Sequence, residues 1–313
     1  MPAQAASISN PRRSIPKGMS FASWTAADGW PLRSFSWPRR DAARGSILFL
    51  GGRGDFVEKY LEALAHWHAQ GWDLAGFDWR GQGGSGRLLS DPLICHQIDF
   101  DPLVDDLAAF VRQWKAAAAG PHVIVAHSMG AHLTLRMLAR GEPVDAVVLA
   151  SPMVDIRVKG IPGWLLGAIA AIVGRLGMAE RRIWRRDIGD VGGRMTSCPE
   201  RRADKAWWKA ASPEIASGVP SWQWMHAARV SIRRLCPADL RSIATPALIL
   251  MSERDPVVDV RAIQRLAEIL PHAESMCMPG GGHELLREAD HRRLPVFARI
   301  DSFLDKLAAD NPP

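Results

Sequence analysis

The chain has 313 residues, of which 39 are Lys or Arg and 33 Asp or Glu, giving a net charge of +6. Apolar residues make up 47%, ample for a core, and the length suits one α/β core carrying an insertion. The positive excess is modest and scattered, without a compact basic motif, so no nucleic-acid partner is expected. Cys95, Cys198, Cys236 and Cys277 contain no Cys-x-x-Cys pair, which argues against a disulfide scaffold and for reduced thiols in a cytoplasmic protein. His66 and His68 are two apart on a predicted helix and face different ways, no zinc-type spacing occurs, and neither metal nor cofactor is expected.

Residues 1–20 hold prolines, serines and Arg12-Arg13 but no apolar run, which reads as a flexible tail rather than a secretory signal. Phe21 to Trp37 reads as a hairpin turning at Asp28-Gly29. Ser46 to Leu50 is a buried strand, Phe56 to Gln70 a helix ended by Gly71, and Trp72 to Asp78 a strand. Gly81-Gln82-Gly83-Gly84-Ser85-Gly86 matches the dinucleotide pattern G-x-G-x-x-G. Arg87 to Asp91 leads only to Pro92, however, and no helix opens there, so the segment is a glycine-rich loop. Leu103 to Ala119 suits a helix, and His122 to Ala126 a strand. Strands alternating with helices imply a mostly parallel sheet.

Ala126-His127-Ser128-Met129-Gly130 then joins an apolar strand to a helical stretch beginning near His132. Strand, sharp turn and helix form the setting of a nucleophile elbow, which presents a serine at the top of a sheet. The small residues two before and two after Ser128 leave room for the close approach of neighbouring elements. His127 is adjacent, but side chains alternate along a strand, so it is read as packing rather than as a base.

Val144 to Ala150 is another strand, after which the alternation breaks. Ser151 to about Leu240 holds six of the 13 tryptophans: Trp164, Trp184, Trp207, Trp208, Trp222 and Trp224. The uncharged run Gly160 to Gly174 is shorter than the about 20 residues that span a bilayer. Its apolar residues, including Ile161, Trp164, Leu165 and Ile172, recur at helical spacing and are flanked by Arg157, Lys159 and Arg175. A buried helix is expected there, with peripheral contact to an anionic membrane as the alternative.

The alternation resumes at Thr245 to Met251, a buried strand followed by Ser252-Glu253-Arg254-Asp255. A further strand, Glu274 to Met278, leads into Pro279-Gly280-Gly281-Gly282-His283. Asp255 and His283 thus fall at strand ends, where open α/β sheets bind ligands. Ser128, Asp255 and His283 stand in the chain order of a nucleophile, an orienting acid and a base. Asp155 is the competing acid, and Asp259 reads as the N-cap of a helix from Val260 to Leu270.

Phe77-Asp78-Trp79-Arg80-Gly81-Gln82-Gly83-Gly84-Ser85 resembles the Asp-His-Arg-Gly-x-Gly-x-Ser signature of the monoacylglycerol lipase and bacterial lysophospholipase group of α/β hydrolases. Trp79 replaces the usual histidine. Leu88 to Phe110, with Val104-Asp105-Asp106-Leu107, resembles the bacterial lysophospholipases especially. The resemblance runs from about Phe21 to the C-terminus. It implies an α/β-hydrolase fold, a mostly parallel sheet flanked by helices, with a core at 21–150 and 241–313 and a helical cap at 151–240. It also implies a serine carboxyl-ester hydrolase acting on a small lipid ester with one acyl chain, a lysophospholipid or a monoacylglycerol. A small-ester hydrolase, an acyltransferase, a peptidase or a non-catalytic binding protein on the same fold stay open. Two backbone N–H groups are expected to form the oxyanion hole: that of Met129, after the nucleophile, and that of Arg53 in Gly51-Gly52-Arg53-Gly54. The Arg53 side chain is expected to point to solvent, with a phosphate contact as the alternative. Trp222 and Trp224 are pocket candidates, since Pro220-Ser221-Trp222-Gln223-Trp224 resembles a cap segment of the lysophospholipases. Trp164 is the third.

Overall fold

The computed structural model describes residues 10–157, 161, 163–184 and 195–310. Residues 1–9, Lys159 and Gly160 lie outside the described residues. β1 (Ser20–Thr25) and β2 (Pro31–Trp37) pair as an antiparallel hairpin, with Gly29 at φ +83° in the expected turn. β3 (Ser46–Leu50), β4 (Asp73–Phe77), β6 (His122–His127), β7 (Ala146–Ala150), β9 (Ala247–Ser252) and β10 (Ala273–Met278) complete an eight-stranded sheet in the order β1-β2-β4-β3-β6-β7-β9-β10. From β4 to β10 all pairings are parallel. Every residue of β3, β7 and β9 is buried, as expected of strands covered on both faces.

The two-residue period sorts these strands onto two cores. Leu48, Leu50, Ile124, Ala126, Val147 and Ile249 face α2 (Asp101–Ala117), α3 (Met129–Leu138) and α8 (Val260–Ile269). Ile47, Phe49, Val123, Val125 and Leu248 face α1 (Leu61–Ala69) and α9 (Asp290–Asp310). Asp259 caps α8, its carboxylate accepting from Arg261 N at 2.8 Å. The expected helix over Phe56 to Gln70 begins as a 3₁₀ turn at Val57–Tyr60 before α1. The glycine-rich loop after β4 opens no helix at Gly81–Gly86.

Between β7 and β9 the chain leaves the sheet. It forms α4 (Gly163–Val173), α5 (Pro199–Ala211), α6 (Trp222–Arg233) and α7 (Pro237–Arg241). The short strand β8 (Val219–Pro220) pairs with β5 (Ile94–Cys95), fastening this segment to the loop after β4. α4 buries Gly163, Leu166, Gly167 and Ala170, one helical face, and the glycines lie against Arg229 of α6. Among the described residues no helix is long and apolar enough to cross a membrane.

The expectation of a loose tail over residues 1–20 requires correction for residues 10–19. Arg13 pairs with Asp204 of α5 at 2.6 Å, and Trp208 Nε1 donates to the Arg12 carbonyl at 2.8 Å. The two arginines that looked like tail composition are anchors of that segment.

Candidate active site

β3 and β6 are neighbours in the sheet, but the chain turns from β3 to β4 on one side and from β6 to β7 on the other. This topological switch leaves a crevice beyond their C-terminal ends. Ser128 closes β6 there at φ 51°, ψ −109°, a backbone conformation that costs a non-glycine residue about 1–3 kcal/mol. Three contacts hold it: its N–H donates to Ala150 O at 2.9 Å, and its carbonyl accepts from Met153 N and His132 N, each at 3.1 Å. Gly130 is required because a Cβ there would lie 2.6 Å from Gly51 O. Ala126 is fully buried in the core below the elbow.

The loops after β9 and β10 meet this serine. Ser128 Oγ lies 2.9 Å from His283 Nε2, and His283 Nδ1 lies 2.7 Å from Asp255 Oδ2. Asp255 Oδ1 accepts from Val257 N at 2.8 Å and Val258 N at 3.0 Å. Burial works to raise the Asp255 pKa, but facing His283 and these bonds outweigh it and hold the carboxyl below its ordinary value. The acid is therefore ionised beside the imidazole. Asp155 is engaged elsewhere, paired with Arg229.

The Gly51–Gly54 loop lies against the serine: a Cβ on Gly52 would come within 3.1 Å of Ser128 Cβ. Asp55 Oδ2 accepts from Gly52 N at 2.8 Å, and the Gln82 side chain accepts from Gly54 N. Trp79 Nε1 donates to Gly51 O at 2.8 Å, so the tryptophan in the histidine position of the signature also fixes this loop. Met129 N–H opens α3, where an N–H has no intrahelical acceptor.

A cavity runs from Ser128 beneath the inserted segment. Met153, Ile156, Trp184, Trp224, Met225 and Val257 supply its apolar lining. Arg53, Asp55, Lys59, Arg157, Lys205 and Glu284 supply its charged lining. Three expectations change here. The Arg53 side chain turns to the cavity, donating to Gly218 O at 2.8 Å and lying over Trp224 at 5.8 Å, because a buried indole face and a carbonyl attract the guanidinium inward. Trp222 packs half-buried on the core and is absent from the cavity wall. Trp164 is 62% exposed on the outer face of α4, opposite the face against α6. Of the three candidates, Trp224 alone lines the cavity, because at the start of α6 it points inward and Trp222 does not. Trp184 joins it.

Sequence reasoning also missed a buried charged cluster beside the serine. Lys59 pairs with Asp55 and with Glu284 Oε1, the latter at 2.7 Å. Tyr60 Oη donates to Asp55 Oδ2 at 2.7 Å. His127 joins this cluster rather than merely packing, with Nδ1 3.0 Å from Tyr60 Oη and 3.2 Å from Asp55 Oδ2. Burial lowers its pKa and keeps it neutral. The available signals were the acid beside His283 and the Asp55/Lys59 spacing of four, a pattern that ordinarily marks a solvated helix face.

Fold and site geometry define an α/β hydrolase with Ser128, His283 and Asp255 brought into hydrogen-bonded series. A family model described as "Serine aminopeptidase, S33" matches residues 41–290, and the chain belongs to that family. It is 30% identical over 307 residues to lysophospholipase L2 of Escherichia coli strain K12, covering 91% of this chain and 87% of that one. It is 29% identical over 270 residues to the probable lysophospholipase L2 of Haemophilus influenzae, covering 84% and 85%. A soluble variant of Saccharomyces cerevisiae monoglyceride lipase, solved with a substrate analog, shares the fold with a TM-score of 0.75 at 18% identity, over 96% of this chain and 99% of that one.

Proposed function

We propose that the protein is a serine carboxyl-ester hydrolase acting on a lipid with a single acyl chain. The observation that carries this reading is the unbroken series Ser128–His283–Asp255 at a strained elbow. Ser128 Oγ attacks the ester carbonyl while His283 Nε2 takes its proton. The N–H groups of Met129 and Arg53 receive the oxyanion. His283 then protonates the leaving alcohol, and water, deprotonated by the same imidazole, releases the acid from the acyl-enzyme. Asp255 holds the tautomer and stabilises the imidazolium. No metal or cofactor enters these steps.

The substrate class rests on the cavity and on the similarity to the lysophospholipases and monoglyceride lipase. The apolar lining suits an acyl chain, and the inserted segment, residues 151–240, serves as the cap over it. Three cationic lining residues outside the Lys59–Asp55–Glu284 cluster, Arg53, Arg157 and Lys205, favour a lysophospholipid over an uncharged monoacylglycerol. Among the described residues Cys198, Cys236 and Cys277 form no disulfide, which suits a reducing, cytoplasmic compartment. Peripheral contact with anionic membrane is part of the proposal and rests on the exposed apolar face of α4. A fluorophosphonate probe tests the enzyme reading. It should label the wild type and fail to label Ser128→Ala; equal labelling of both would refute the nucleophile.

A further inference from the structure

Three segments must hold register for the proposed chemistry: the oxyanion loop after β3, the elbow after β6 and the base loop after β10. A single buried cluster touches all of them. Asp55 holds the oxyanion loop through Gly52 N, at 2.8 Å. His127, next to Ser128, faces Asp55 through Nδ1, and its Nε2 lies 3.3 Å from the carbonyl oxygen of His283. Glu284, next to His283, meets Lys59 at 2.7 Å, and Lys59 returns to Asp55. Arg287 pairs with the far oxygen of Glu284. The lysine side chain is 2% exposed, and its two carboxylate partners are nearly as deeply buried.

We propose that Lys59, with Asp55 and Glu284, is a positioning element that fixes the oxyanion loop relative to the base loop. The inference rests on the triad reading above. A buried cation between two carboxylates gains nothing in fold stability over apolar side chains of similar volume, because desolvating three charges offsets their attraction. What such a group supplies is direction. Each carboxylate is bound on a separate loop, and an ionised lysine fixes the separation of the two. Burial works against charge on Asp55 and Glu284. Lys59 is the largest opposing influence on both, helped by His127 for Asp55 and by Arg287 and Lys205 for Glu284, and both carboxyls are held well below the ordinary range. Both carboxylates of the cluster are therefore ionised at neutral pH. All three residues also border the cavity, so direct substrate contact is the competing role.

The two roles separate in kinetics. A positioning role affects transition-state stabilisation, whereas substrate contact affects binding. The test measures kcat and KM on p-nitrophenyl octanoate, with the rate of fluorophosphonate labelling, for wild type, Lys59→Met and Lys59→Arg. Lys59→Met should lower kcat by about tenfold to a hundredfold, the cost of misplacing groups by about 1 Å. KM should stay within about twofold, labelling should slow in parallel, and Lys59→Arg should recover part of kcat. If Lys59→Met does not fold, Lys59→Met/Glu284→Gln removes the cation and one anion together, and the same split decides. A folded variant with wild-type kcat, or a loss confined to KM, overturns the proposal. A wild type that neither reacts with the probe nor hydrolyses the ester overturns the triad reading instead.

Discussion

Asp255 and His283 meet at 2.7 Å through Oδ2 and Nδ1, and the other Asp255 oxygen takes the amides of Val257 and Val258. The acid thus has no rotational freedom with which to present a different atom to the imidazole. In Asp255→Asn the amide oxygen would stay with the two backbone N–H groups, so the NH₂ would face Nδ1 and select the wrong tautomer. Turnover should fall by about 10⁴. Asp155→Asn, which weakens only the pair with Arg229, should keep most activity. A steady-state comparison of the two variants checks this, and greater damage from Asp155→Asn would move the acid to that position.

Ser128 carries both chemistry and strain. Ser128→Ala should lose at least about 10³ in kcat, since the hydroxyl forms bonds rather than filling the core. Ser128→Gly should be equally inactive yet more stable than Ser128→Ala, by about 1 kcal/mol, because only glycine occupies φ 51°, ψ −109° without steric cost. Thermal melts of the two inactive variants provide the measurement. A less stable glycine variant would show that the elbow is not strained.

Hydrolysis should favour longer acyl chains. The wall formed by Met153, Ile156, Trp184, Trp224, Met225 and Val257 removes methylenes from water, at about 0.8 kcal/mol each. For p-nitrophenyl esters kcat/KM should rise from acetate towards octanoate. Trp224→Ala should flatten that rise, while Trp222→Ala, a change away from the wall, should leave the slope as it is. A clear wild-type preference for acetate would favour the small-ester reading.

The sequence carried the fold because the central strands are apolar on both faces and the helices between them are punctuated, as by Gly71 and Asp259. It also carried the order Ser128, Asp255, His283, since each sits where a strand gives way to a turn. It did not reveal which tryptophan reaches the cavity: Trp222 and Trp224 are two apart on α6, and the facing of that helix depends on its packing against α4. Arg53 was unreadable for a similar reason. Its partners, Gly218 O and Trp224, lie some 165 residues or more along the chain. The Asp55–Lys59–Glu284 cluster was hidden because burial is a tertiary property, and its residue types in isolation suggest a solvated surface.

Buried neutral imidazoles should make stability fall on acidification before the carboxylates do. His132 Nε2 lies 2.7 Å from the Ser231 hydroxyl and, fully buried, the imidazole is pushed down to about 3. An unfolded histidine binds its proton near pH 6.5. Between those values the unfolded state holds the extra proton, so His132 stabilises the fold above about 6.5 and loses that contribution as pH falls towards 3. His127 acts in the same direction. Asp78 opposes them: burial, partly offset by Arg33, raises it to about 6, so its share improves as pH falls from 6 towards 4. Melting temperatures from pH 7 to 4.5 should decline, and less steeply for His132→Gln than for wild type. Parallel curves would show that His132 does not titrate with unfolding.

The outer face of α4 sets the last expectation. Its inner face, Gly163, Leu166, Gly167 and Ala170, already packs within the protein, yet Trp164, Leu165 and Ile172 on the other side are also apolar and open to water. Leu176 continues the patch, and Arg157 and Arg175, both exposed, flank it. A helix apolar on both faces with arginines flanking it in sequence matches an element that lies in a lipid interface, where the large side chains enter the acyl boundary and nearby cations meet anionic headgroups. Wild-type protein should float with anionic vesicles at low salt and release as salt rises, since exposed charges are screened within about 10 Å at 0.1 M. Trp164→Ala should weaken flotation and Leu165→Asp should abolish it, while both retain hydrolysis of a soluble p-nitrophenyl ester, because neither residue lines the cavity. Wild-type protein that stays with the soluble fraction at low salt would remove the membrane from the proposal and leave α4 as a wall of the cap alone.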